Sequence, residues 1–259
     1  MQTSVSPLGE KLRDWRQRRR MSQLDLALEA DISTRHLSFL ETGRAVPSRD
    51  MVLRLAEGLD VPLRDRNALL LAAGFAPAFA DRELGDRQLQ PALDAIKALL
   101  TAHEPFPALA IDRHWHLVAA NRAVAPLLAG AAPWLLEPPV NVLRLSLHPE
   151  GIAPRIENLS TWKQHLLHRL RRQFAETADP VLADLIAELA RYPAGPPREP
   201  IATDAIAIPL RIRTPTGILS FLSTTMVFGT PLDITVSELA LETFLPADPE
   251  TAAALKRVP

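Results

Sequence analysis

Three side chains at alternate positions, Asp112, His114 and His116, have the types of a two-imidazole, one-carboxylate metal set. On one straight strand all three would point to the same side. Residues 112–114 read as a turn, however, which breaks that alignment, and spacing places no further carboxylate or histidine beside them. No metal is therefore expected. His165 and His168 lie three apart among Lys163, Arg169, Arg171 and Arg172, a cationic stretch that repels a metal ion and reads as a solvated helix face. The absence of cysteine removes thiolate zinc sites, disulfides, iron–sulfur clusters and cysteine nucleophiles. Neither phosphate-cradling glycine loops nor His-Glu-x-x-His nor Gly-x-Ser-x-Gly occurs. The scattered Ser, His and Asp residues give no reason to place a triad, so an enzyme with a cryptic site is the minor expectation.

The elements that must carry any site come next. A chain of 259 residues exceeds the usual single domain, which favours two. With 47% hydrophobic and 23% charged residues and a formal net charge of −1, the composition is that of a globular protein and excludes a disordered chain or a general polyanion binder. Aromatic residues at 5% argue against a stacking surface for single strands, and 24 prolines against 10 glycines indicate stiff connections. The N-terminal stretch is cationic before any apolar run, and the longest uncharged run, Thr214 to Leu232, is broken by proline and glycine. A cytoplasmic protein with no membrane partner is expected.

Residues 1–75 read as five short helices, 76–87 as a polar linker and 88–259 as a second domain. In the first domain Leu8, Leu12 and Trp15 line one helix; Ser22, with Asp25 three positions on, starts another whose inward stripe is Leu24, Leu26, Ala27 and Ala30. Ser33 caps a third with Leu37 and Leu40 inside, leaving Thr34, Arg35, His36, Ser38 and Phe39 for other faces. Two helices joined by a short turn and locked by Ala27, Ile32 and Leu37 suit presentation of the second to a DNA major groove.

The combination Leu8-Gly-Glu-Lys-Leu-Arg13, Ser22-Gln23, Leu26-Ala27, Glu41-Thr-Gly43-Arg44, Pro47-Ser48 and Leu55-Ala56 resembles the Cro/lambda-repressor-like, xenobiotic-response-element helix-turn-helix family over about residues 7–73. The resemblance implies a double-stranded DNA partner. Its contacts would be Gln23 and Arg44 on phosphate and Ser33, Thr34, Arg35, His36, Ser38 and Phe39 along the recognition helix. Arg35 is the sharpest base reader, since a guanidinium can form two bonds to a guanine edge. It also implies a structural ion pair between Arg16 and Glu41 and a tight-turn position often occupied by glycine in the family and held here by Asp31, which tolerates left-handed backbone. A lone recognition helix binds weakly, so a homodimer on two half-sites is expected.

In the second domain a helix through Leu89, Leu93, Ile96 and Leu100 is followed by a hairpin, Ala108–Ile111 and Trp115–Ala119, then a helix capped by Asn121. Helices at Leu159–Ala175 and Val181–Ala190 precede strands at Ala205–Arg213, Ile218–Phe228 and Ile234–Phe244, which makes an α+β domain with an antiparallel sheet. Asp112-x-x-Trp115, Ala120-Asn-Arg-Ala123, Asn141-Val-Leu-Arg144 and Leu147-His-Pro149 are similar to the MmyB-type, PAS-like ligand-binding domain over about 88–246. The resemblance implies a small apolar, fatty-acyl-like effector and no other cofactor. Trp115, Leu117, Trp134, Phe221, Met226 and Phe228 would line its cavity, with Asn121, Arg144 or His148 on a polar head group. The alternative is that this domain only dimerises and these side chains fill its core.

Overall fold

The computed structural model describes residues 7–195 and 207–257. Spatial proximity divides the chain into two compact units, one running through Glu83 and taking in Ala175–Thr177 and Pro231–Ser237, the other holding the remainder.

The first unit contains α1 (Pro7–Arg18), α2 (Gln23–Glu29), α3 (Thr34–Glu41), α4 (Arg49–Gly58) and α5 (Leu63–Ala72). Helix starts follow from local chemistry. Ser22 accepts from the Asp25 amide while the Asp25 carboxylate accepts from the Ser22 amide, a reciprocal cap, and Ser33 and Ser48 accept from the amides of His36 and Met51. Leu12, Leu26, Leu37, Leu40, Leu55 and Leu69 fill one core. Leu24 departs from the expected inward stripe: it is 57% exposed, because two residues along a helix is about 200° of rotation from Leu26. Asp31, between α2 and α3, has φ of 52°, so it does occupy the left-handed region. Gly9 permits the closest approach in this unit, since a Cβ there would lie 2.4 Å from the Glu41 carbonyl oxygen.

The second unit is built on α6 (Gln90–Ala102), β1 (Ala108–Ile111), β2 (Leu117–Ala120), α7 (Val142–Leu147), α8 (Leu159–Thr177), α9 (Pro180–Arg191), β3 (Leu210–Thr214) and β4 (Gly217–Val227). After a short helix, α10 (Ile234–Ser237), the chain forms β5 (Ala240–Pro246) and ends its described course with α11 (Pro249–Leu255). The five strands form one antiparallel sheet in the order β2-β1-β5-β4-β3. β1 is buried throughout because both sheet faces are covered. Leu109 and Ile111 enter the larger core with Trp162, Leu166 and Leu170 of α8; Ala108 and Ala110 point the other way, to Ile96 and Leu100 of α6.

Three expected boundaries are corrected. The last strand does not begin at Ile234: a helix occupies Ile234–Ser237 and the strand starts at Ala240, since the Asp233 carboxylate accepts from the Val236 amide at the helix entry. The third strand starts at Leu210; residues 205 and 206, with the end of the preceding loop, lie outside the described residues. Arg122–Leu128 is a 3₁₀ segment containing Pro126, and Asn121 makes no side-chain cap there.

Candidate functional site

In the first unit the site begins from one carboxylate. Glu41, at the end of α3, is fully buried. Arg16 of α1 grips it with two bonds, Nε to Oε1 at 2.6 Å and Nη2 to Oε2 at 3.0 Å, while Gln23 Nε2 donates to Oε2 at 2.8 Å. Burial alone would raise the Glu41 pKa, but hydrogen bonds from Arg16 and Gln23 and the charges of Arg16 and Arg13 together hold it below the usual carboxylate value. This knot ties α1, α2 and α3 to one another and so fixes how α3 is presented.

On α3 the polar side is open. Arg35 is exposed with its guanidinium 5.3 Å from the Phe39 ring centre, and Thr34, His36, Ser38 and Phe39 are half-buried. Arg44 is exposed just beyond Gly43, whose φ of 72° turns the chain. The Ser33 hydroxyl accepts from the His36 amide, which leaves its own proton to donate. One N–H of Gln23 goes to Glu41, leaving its other amide proton for an outside acceptor. The pattern is a short rigid helix with a cation, a ring and hydroxyls on one side, beside helix starts whose amides favour an anion.

In the second unit the larger core borders a partly open cavity of about 100 Å³, lined by side chains from α7, α8 and four of the strands. Leu109, Trp115, Leu117, Val124, Leu143, Trp162, Leu166 and Phe244 make it apolar. Its polar end is Arg169 of α8 paired with Glu242 of β5, Nη2 to Oε1 at 2.6 Å and Nη1 to Oε2 at 3.2 Å. Arg169 also donates to Thr225 Oγ1 and lies over the Trp115 ring, 4.9 Å from its centre. Trp115 Nε1 donates to Gln173, which fixes the indole.

The expected cavity residues divide sharply. Trp115 and Leu117 line it. Trp134 and Met226 do not: they are 49% and 41% exposed. Phe221 is fully buried against Phe244 outside the lining, and Phe228, just past the end of β4, packs against the smaller cluster of Ile96, Leu100, Ala108 and Ala110 on the opposite sheet face. The expected head-group residues are engaged elsewhere. Asn121 donates to the carbonyls of Leu100 and Phe106 and accepts from the Ala108 amide, a purely internal brace. Arg144 forms a forked pair with Glu188, which raises its pKa through that hydrogen bond despite desolvation, and His148 stacks edge-on with Trp134 and Tyr192.

Arg169 was expected on a solvated face, yet it turns inward, and Lys163 likewise donates to the Ala190 carbonyl at 2.9 Å. The signal was present in the spacing: Trp162, Leu166 and Arg169 stand at i, i+4 and i+7, one face of a helix. Glu242 and Phe244 share a strand face by period two. Asp112, His114 and His116, whose turn was expected to separate them, each place one ligand atom within 4.8 Å of the other two. The turn curls rather than fanning them apart, with Trp115 at φ of 67° between the histidines.

Comparison with known families follows this division of the chain. Residues 92–258 match the MmyB-like transcription regulator ligand binding domain, and residues 7–69 match a helix-turn-helix domain. No curated protein is significantly similar to the chain. Among the described residues no helix is long and apolar enough to cross a membrane.

Proposed function

The chain belongs to the MmyB-like transcription regulators with a helix-turn-helix domain, and from that premise we propose that its cavity takes a small apolar effector which shifts how α3 engages an operator. A DNA-binding domain and a ligand-binding domain in one chain make it a transcription regulator. The observation that carries the finer reading is the cavity, an apolar space of about 100 Å³ in the second unit. An apolar cavity of about 150 Å³ admits a benzene-sized molecule, so this one suits a compact group, and a long fatty-acyl chain requires the walls to part. The Arg169–Glu242 pair favours an uncharged end group there, because a ligand carboxylate would displace Glu242 and leave it buried without its cation.

Native mass spectrometry of the purified chain tests occupancy, with 1-hexanol as the added probe. At about 100 times its Kd such a probe should stabilise the fold by about 2.7 kcal/mol. Val124→Phe, which fills the lining, should abolish that gain. Equal stabilisation of both proteins would remove the cavity from the account.

Arg35 and Arg44 supply the DNA half of the reading. Arg35→Ala should cost about 1–3 kcal/mol for the preferred duplex, roughly 5- to 150-fold in Kd, while leaving scrambled duplex little changed. Arg44→Ala should weaken all sequences alike and lower the salt slope by about one. Titration of fluorescent duplexes at several salt concentrations reads both; loss of Arg35 that affects every sequence equally contradicts base reading. A homodimer spanning half-sites about 34 Å apart should sediment as two chains per palindromic duplex.

A further inference from the structure

We propose that Asp112, His114 and His116 form a site for a divalent transition metal ion, a function independent of the apolar cavity and of DNA binding. Among the described residues this is the group of three His and carboxylate side chains whose ligand atoms converge within 4.8 Å. Metal bonds of about 2.0–2.2 Å put neighbouring ligand atoms roughly 3.0–3.5 Å apart. Asp112 Oδ2 and His116 Nδ1 already stand 3.0 Å apart.

The rest of the turn holds these groups in place. Asp112 Oδ1 accepts from the amides of His114 and His116, each at 2.8 Å, which orients the carboxylate and directs Oδ2 toward His116. His116 is anchored through its bridge to Asn141. His114 Nε2 lies 2.8 Å from Asp179 Oδ2. With that nitrogen donating its proton to Asp179, the Nδ1 lone pair is left for the ion, the arrangement in which an outer carboxylate orients a metal-bound imidazole. Arg113 of the same turn is paired with Asp179 at 3.6 Å and with Glu238 at 3.4 Å, so its charge is balanced by carboxylates rather than left to repel an incoming cation.

The site also has access. Asp112 and His116 lie on the wall of a groove of about 710 Å³ between α6 and β2, with Leu93, Lys97 and Pro138 around it. Two imidazoles and one carboxylate suit Zn²⁺, Co²⁺ or Ni²⁺ rather than Ca²⁺ or Mg²⁺, and leave coordination positions facing the groove for water or an anionic ligand. Without an ion the same atoms pair as His116 with Asp112 and His114 with Asp179, so the experiment must separate metal binding from a self-satisfied turn.

The test is titration of the metal-stripped full chain with Co²⁺, followed by visible d–d absorption and native mass. One ion per chain is expected, with bands displaced by Zn²⁺. His116→Gln should weaken binding at least 100-fold, and Asp179→Asn, acting on the imidazole rather than the ion, about 10- to 100-fold. Asp112→Asn keeps an oxygen for the two turn amides, so a folded variant that has lost the Co²⁺ bands excludes unfolding as the cause. Absence of d–d bands in the unaltered chain, or bands that persist in both His116→Gln and Asp112→Asn, overturns the site.

Discussion

Glu41→Ala is expected to lower the unfolding free energy of the first unit by about 3–5 kcal/mol, the range for removing one partner of a buried pair. The carboxylate is inaccessible to water and accepts from Arg16 twice and from Gln23 once. Alanine deletes those bonds, leaves the Arg16 guanidinium facing the space with only the Met21 carbonyl as acceptor, and opens a void between three helices. Hydrogen exchange of the α1 and α3 amides measures the loss directly. The pH dependence has a definite sign. Folding holds the Glu41 pKa below its reference value of 4.5, so its contribution is full above that value and is lost as the pH falls through the folded pKa. Acid should therefore release α3 in the unaltered chain, whereas the Glu41→Ala protein should lack that component. A change below 1 kcal/mol would show that the knot is not what fixes the recognition helix.

Arg169→Met is expected to cost about 3 kcal/mol in the second unit, at the low end for breaking such a pair because Arg169 is still 26% exposed. Glu242, at 5% exposure, would retain only Thr225 Oγ1 as a donor, at 2.7 Å. Trp115 would lose the cation over its ring. Replacing both partners, Arg169→Met with Glu242→Leu, removes the stranded charge and should recover most of the stability, as apolar substitution of a whole buried pair does. Urea unfolding of the single and double variants decides this. If the double variant is no better than the single, the cost lies in packing around the indole rather than in an unpaired carboxylate. The same double variant makes the cavity end apolar, so it should bind 1-hexanol without a place for its hydroxyl and with reduced affinity.

These expectations rest on features of unequal visibility in the sequence. The helices of the first unit could be read because their signals are local: Ser22 with Asp25, Ser33 and Ser48 each answer to amides three residues away. The periodic leucines gave the core face, and Leu24, on the side of α2 turned away from it, went astray. The early hairpin and the long helices of the second unit were legible for the same reason. The break at Ile234–Ser237 was not, because its apolar residues suit a strand as well as a short helix and only the Asp233 cap decides between them.

What the sequence determined by itself was two domains, a helix-turn-helix ahead of an α+β sheet domain, and the family they resemble. Those follow from periodicity and punctuation, which act over a few residues. The tertiary structure alone decided which side chains meet. Trp134, Met226 and Phe228 are as apolar as Trp115, but their places on an exposed segment, a strand end and the opposite sheet face keep them from the cavity. Arg169 looked solvated among its cationic neighbours until β5 brought Glu242 to it from 73 positions away. Asp112, His114 and His116 converge because one backbone torsion at Trp115 curls their turn. Pairings of this kind depend on chain crossings and single torsions, and neither leaves a periodic trace in the order of residues.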